Sequence, residues 1–267
     1  MREFISEILK NELFSIGKFH VYAYGLWIAI GILIGLSLIP YRMKKYNMKD
    51  DKIYNFILYL LIVGFGGAKL LSLLTTIPDI FSNGIIYWLT TSGFVVYGGI
   101  ISGFIFALFY FKKQKKDFLF YSDILIPLIP LVQGFGRLGC LFAGCCYGKV
   151  TDSNFSITYI ESSSAPLNTP LFPSQFVSSL LCFLLFFALL IIEKKKKQVK
   201  GELLFDYLIL YSIGRFIIEF FRGDSLRGIF LGFSTSQWIS IIVFIISLYF
   251  YKKYIKKENK IFTGGKQ

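Results

Sequence analysis

Histidine is nearly missing: His20 is the single one in 267 residues. A metal site built from mixed histidine and cysteine ligands therefore has little to draw on. Charge is also scarce, at 17% of residues against 55% hydrophobic, and the mean hydropathy is +0.61. That balance excludes an ordinary soluble domain of this length. Acidic residues are the scarcer sign, 16 against 29 Lys and Arg, which leaves a net charge of +13. Internal repeats, low-complexity segments and an appended soluble domain are not found. The apolar core and small-residue cleavage pattern of a signal peptide are missing as well, so no cleavable leader is expected.

What is present is a series of apolar runs. A spanning helix needs roughly 20 predominantly apolar residues. Seven such stretches are expected, near 21–40, 54–75, 86–110, 118–138, 174–192, 203–221 and 230–250. The whole chain, 1–267, is read as a single polytopic all-α membrane domain. Between the spans the runs YRMKKYNMKDDK, KKQKKD and KKKKQVK and the tail from Lys252 together hold twenty Lys or Arg; the opposite side holds six. The positive-inside rule then places the N-terminus outside and the C-terminus in the cytoplasm. The basic runs are topology signals and contacts for anionic membrane lipids, and no nucleic acid is expected as a partner. At the start, Phe4, Ile5, Ile8, Leu9 and Leu13 fall on one helical face, which predicts an amphipathic helix on the outer membrane surface over 1–20. The outer loop 149–172, rich in Ser, Thr, Asn and Pro, is placed to cap a site or carry partner contacts.

Three basic residues fall inside the spans: Lys69, Arg137 and Arg215. An ionisable residue at membrane depth is costly and points to a functional site. The topology brings all three, with Tyr24 and the polar run Ser234 to Gln237, to the outer half. In YSIGRFIIEFFRGD, Tyr211, Arg215, Glu219 and Arg222 are spaced four, four and three apart and share one helical stripe. A buried Arg beside a Glu can serve packing alone. With Arg137 and Lys69 at the same depth, however, positive charge exceeds the single carboxylate. The surplus invites an anion, and arginine grips a phospholipid phosphate in bidentate fashion.

The stretch GFGRLGCLFAGCCYGK, 134–149, sets three of the four cysteines within nine residues of Arg137. Metal ligation by Cys140, Cys145 and Cys146 lacks a fourth partner, since Cys182 lies in a different apolar span. A disulfide suits Cys140 with either of the adjacent pair better than it suits Cys145 with Cys146. Small, weakly polar residues that let the backbone pack around glycines are a further reading. A thiol beside Arg137 that acts as base or nucleophile is the last.

Tyr24-Gly25, GGAKL, VVYGGIISG, DILIPLIPLVQGFGRLG, PSQ at 173–175, YSIGRFIIEFFRGD and FSTSQW occur in this order along nearly the whole chain. The chain resembles the prolipoprotein diacylglyceryl transferases, inner-membrane enzymes that move diacylglyceryl from phosphatidylglycerol to the lipobox cysteine of a preprolipoprotein. The resemblance implies a multi-pass protein of the cytoplasmic membrane with two partners, phosphatidylglycerol and the preprolipoprotein signal peptide, and with no cofactor or metal. It carries Tyr24, Arg137, Gly148, Tyr211, Arg215, Glu219 and Arg222 over as activity or substrate-binding positions. The family pattern GRxGNFxNxExxG reads GRLGCLFAGCCYG here, so Cys140 stands for Asn and Cys145 for Glu. Tyr97 stands for the histidine of HGG, and Phe172 for that of HPSQ. The expected catalytic set is Arg137, Cys140, Cys145, Tyr24 and Tyr97; the expected substrate-binding set is Arg215, Glu219, Arg222, Tyr211, Gly148 and Lys69. In this scheme Arg137 and Arg215 clamp the lipid phosphate, Glu219 orients them, and a thiolate of Cys140 or Cys145 takes the acceptor's proton. A related transferase with a cysteine nucleophile and a non-catalytic lipid-binding protein are the alternatives.

Overall fold

In hydrocarbon every backbone amide must find its partner within the chain, so an apolar run there becomes a helix. The computed structural model describes residues 11–255 apart from 18, 79–80, 82–83, 92, 163, 196–198 and 225–227. Its helices are α1 (Ala23–Lys45), α2 (Lys52–Thr75), α3 (Ile85–Thr91), α4 (Val96–Lys113), α5 (Phe118–Leu125), α6 (Leu128–Ala143), α7 (Ser174–Lys195), α8 (Glu202–Glu219) and α9 (Thr235–Phe250). Among the described residues five are long and apolar enough to cross a membrane: α1, α2, α4, α7 and α9. Counting α5 and α6, which meet at a 45° bend, as one span makes six.

The span near 203–221 is α8, which carries Glu202, Asp206, Arg215 and Glu219 and packs along both α7 and α9. Two expectations change. The span near 86–110 divides into α3 and α4, with Gly93, a poor helix former, in the non-helical stretch before α4. The surface helix expected over 1–20 has its first ten residues outside the described ones, and the rest is not helical. Strands β1 (Glu12–Ile16) and β2 (Phe19–Tyr22) form an antiparallel hairpin there, with Ser15 opposite His20. Gly17, at φ +62°, makes the turn, and aromatic and β-branched residues suit the strands. Asn11 then accepts from the Ala23 amide at 2.6 Å and leads into α1.

The chain forms two compact units, Lys44–Tyr121 on one hand and Met1–Met43 with Ser122–Gln267 on the other. In the first of these, α2 and α4 meet through glycines. A Cβ on Gly99 would lie 2.9 Å from the Gly64 carbonyl oxygen, and one on Gly98 would run into that of Gly67. Small residues of this kind let helix backbones close up where no hydrophobic force separates lipid from protein. Lys69, on α2, sets its ammonium 5.5 Å from the centre of the Phe94 ring. Tyr97 sits in the first turn of α4 and is partly exposed.

The larger unit holds α1 and α5 to α9. On α1, Gly31 and Gly35 receive Phe135 and Val132 of α6: a Cβ at 31 would come within 2.7 Å of Phe135. The break between α5 and α6 has a covalent cause. Pro127 has no N–H, so the Asp123 carbonyl four residues back loses its helical donor. Arg42 replaces it: its guanidinium donates to the Asp123 carbonyl at 2.8 Å and the Ile124 carbonyl at 3.0 Å, and pairs with Glu193 of α7. The Asp123 carboxylate in turn accepts from the Gly201 and Leu204 amides at 2.6 and 3.2 Å and closes the start of α8. Helices α1, α5, α7 and α8 are thus tied at one end, which fixes where their other ends converge.

Candidate active site

At the end of this unit away from Arg42, α6 brings Arg137 and Cys140, and its last turn is closed by Gly144 at φ +70°. The chain turns again at Cys146, φ +58°, and returns Cys145 and Cys146 to the helix end. The sulfurs of Cys140, Cys145 and Cys146 all lie within 4.8 Å of one another. Every cysteine is a free thiol, so the disulfide reading is set aside for this structure. Backbone carbonyls hold the loop in place. Ser174 donates to the Cys146 carbonyl at 2.9 Å, Gln175 to that of Cys145 at 3.0 Å, and Tyr159 to that of Leu141 at 2.8 Å. Burial raises the Tyr159 phenol above its ordinary pKa, so its hydroxyl stays a donor.

Gly148 follows, paired as an isolated β-bridge with Arg222. The Gly223 amide donates to the Tyr147 carbonyl and the Lys149 amide to that of Phe221, both at 3.0 Å. A Cβ on Gly148 would collide with the Phe172 carbonyl. Tyr24, at the start of α1, packs its backbone on Gly139 and lies within electrostatic reach of Arg137 and the three thiols.

The arginines differ in how their charge is met. Arg215 pairs with Glu219 at 2.5 Å and donates to Ser236 at 2.9 Å. Glu219 also accepts from the hydroxyl of Ser234, which caps α9 in a reciprocal box with Gln237. Arg222 pairs with Asp224 through two hydrogen bonds of 2.6 and 2.9 Å. Arg137 has no hydrogen bond or ion pair among the described residues; thiols and the Tyr211 phenol are its electrostatic neighbours. A cleft of about 100 Å³ opens on it, lined among others by Cys182, Tyr211, Arg215, Leu185 and Ile218. A cation facing a cavity with an apolar wall is suited to a ligand with an anionic head and a greasy body.

Residues 11–252 match the sequence profile of the prolipoprotein diacylglyceryl transferases. The chain belongs to that family. Among its relatives, a phosphatidylglycerol–prolipoprotein diacylglyceryl transferase of Clostridium tetani is 41% identical over 241 residues, covering 90% of this chain and 96% of its own. A second such transferase of Clostridium perfringens is 38% identical over 245 residues, with 91% and 94% covered. One from Clostridium botulinum is 32% identical over 252 residues, with 92% and 98% covered. Membership in the family and the apolar helices make the chain a multi-pass protein of the cytoplasmic membrane.

Of the residues read from sequence, Tyr24, Arg137, Cys140, Cys145, Gly148, Tyr211, Arg215, Glu219 and Arg222 all belong to the larger unit, at or beside the end just described. Lys69 and Tyr97 belong to the other unit. Sequence reasoning missed Asp224, whose position two residues after Arg222 was a usable signal. It also missed Tyr159, a single aromatic in a polar loop that carries no local signal for its bond to Leu141.

Proposed function

We propose that this transferase moves the diacylglyceryl group of phosphatidylglycerol to the lipobox cysteine in the signal peptide of a preprolipoprotein, at the outer face of the membrane. The observation that supports this reading best is Arg137: a guanidinium in a cleft, without a carboxylate, beside two arginines that each have one. A phosphate anion supplies the missing counter-charge. The acceptor sulfur attacks the glyceryl carbon next to the phosphate, the C–O bond breaks, and glycerol phosphate leaves with the electron pair. Charge grows on the leaving phosphate, and Arg137 meets it there. The pairs Arg215–Glu219 and Arg222–Asp224 hold the end of α8 and the segment bridged to Gly148 around that point, with Tyr211 in the cleft wall, Gly148 admitting the Phe172 backbone, and Tyr24 near the thiols. Tyr97 and Lys69 are proposed as contributors on the sequence alone, and Tyr97→Phe and Lys69→Ala test them.

The experiment is incubation of purified protein in detergent with phosphatidylglycerol and a lipobox peptide, followed by the mass of the peptide. Wild type adds a diacylglyceryl group, and folded Arg137→Ala loses the activity by a hundredfold or more, on the order expected for an oxyanion donor. Full activity in Arg137→Ala would remove the phosphate role.

A further inference from the structure

The proposed reaction needs a thiol turned into a thiolate. Where the family has Asn, Glu and His, this chain has Cys140, Cys145 and Tyr97, so the group that takes the proton is not supplied by the family pattern. Two of the three replacements are thiols, and Cys146 adds a third. Among the described residues no other group of three His, Cys, Asp or Glu side chains converges as these do.

We infer that Cys140, Cys145 and Cys146 bind one zinc ion as thiolates and leave its fourth position open to the acceptor cysteine. The inference rests on the proposed reaction, because a thiol acceptor is what gives the open position its use. Three protein ligands with an open fourth site is the coordination of catalytic rather than structural zinc, and thiolate sulfur suits this borderline-soft ion. Zn–S bonds of about 2.3 Å in a tetrahedron separate sulfurs by about 3.8 Å. The observed sulfurs, all within 4.8 Å of one another, therefore need to close by about 1 Å at most.

The surroundings suit such a site. The loop is set by Ser174, Gln175 and Tyr159 through backbone carbonyls, and the one bond of a thiol to backbone, from Cys145 to the Cys140 carbonyl at 3.9 Å, is long and is given up with its proton on ligation. Three thiolates and a divalent cation carry one net negative charge, and both Arg137 and Arg222 act electrostatically on Cys146. The neighbouring carboxylates Glu219 and Asp224 are engaged by arginines and do not compete for the ion.

The chemistry balances. A coordinating thiol is deprotonated outright, and its proton passes to solvent. The zinc-bound sulfur uses a lone pair to form the C–S bond, the C–O bond to phosphate breaks, and glycerol phosphate departs with that electron pair and the added charge beside Arg137. The product is a neutral thioether, a weaker ligand than a thiolate, which frees the fourth position.

Elemental analysis of protein purified without chelator should find one zinc per chain. Cobalt in its place should show sulfur-to-cobalt charge-transfer absorption. That absorption should be lost in Cys145→Ser and Cys146→Ser, kept in Cys182→Ser, and altered when a lipobox peptide is added. Stripping zinc from the unmutated protein should lower transfer on the order of a hundredfold, and added zinc should restore it; this arm needs no variant to fold. Undiminished transfer by metal-free protein, or cobalt protein without the charge-transfer band, overturns the zinc site and leaves the transferase reading standing. Zinc held by these thiols in protein that transfers nothing from phosphatidylglycerol supports the site and overturns the reaction proposed for it.

Discussion

Arg137 and Gly148 show how much a single position decides. The guanidinium is useful because the protein leaves it without a carboxylate, while Arg215 and Arg222, close by in sequence pattern and chemistry, are already engaged. Gly148 matters for the opposite reason, since it must contribute nothing beyond backbone. Its missing Cβ lets the Phe172 carbonyl approach while its own backbone bridges to Arg222. Gly148→Ala should therefore displace one of those backbones, costing about 1–3 kcal/mol as overpacking does. A lowered melting temperature in detergent together with a loss of transfer checks it; an alanine variant with wild-type melting and activity would show that the backbones have room. The stripe Tyr211, Arg215, Glu219 was legible in advance because i, i+4 spacing needs only a helix; Arg222, expected on the same stripe, lies beyond it, since α8 ends at Glu219 and Arg222 bridges to Gly148. The state of each arginine was not read: Ser236 meets Arg215 from α9, which spacing along α8 does not reveal, and Asp224, two residues after Arg222, was the one partner with a local signal.

At the scale of elements, the break between α5 and α6 organises its unit. One proline frees a carbonyl, one arginine on α1 supplies the donor, and the same arginine recruits Glu193 from α7. Arg42 is 2% exposed, so removing it strands a buried carboxylate as well as two carbonyls. Arg42→Ala should cost about 3–5 kcal/mol, the range for breaking a buried pair from one side. Thermal unfolding in detergent measures it, and Arg42→Lys should recover only part, because an ammonium lacks the planar fork that serves three acceptors. Apolar length identified α1, α2, α4, α7 and α9 well, since composition alone marks a lipid-facing helix. At α8 the charges Glu202, Asp206, Arg215 and Glu219 keep composition alone from marking a span, and the β1–β2 hairpin was missed. Of the apolar residues that suggested one helical face only Leu13 is among the described ones, on β1, and the left-handed Gly17 turns the chain back there.

For the molecule as a whole, the unit Lys44–Tyr121 carries a stability switch outside the helices that cross the membrane. Asp50 accepts from the Tyr121 hydroxyl at 2.7 Å and pairs with Lys116. Burial alone would raise its pKa, but the bonds from Lys116 and Tyr121 outweigh burial and hold it below the ordinary value. A depressed carboxylate contributes stability that is complete above its unfolded pKa, about 3.9, and is lost as pH falls through the folded one. Asp50→Asn should thus melt lower than wild type at neutral pH, and the gap should close below about pH 4. A gap that persists unchanged into acid would mean that the pair adds nothing through charge. Charge patterning made the basic loop containing Lys116 visible as a topology signal, but its partner Asp50 lies 66 residues away and was not legible from the run itself.

One feature of the thiol loop sets two selective demands against each other. Cys146 holds a left-handed backbone, φ +58°, that costs an ordinary side chain roughly 1–2 kcal/mol and costs glycine almost nothing. Selection for thermal robustness alone would replace it with glycine, at the loss of a sulfur. A thiol kept at that position is held against the local conformational gradient, as expected where a residue is retained for what its side chain can bind or do.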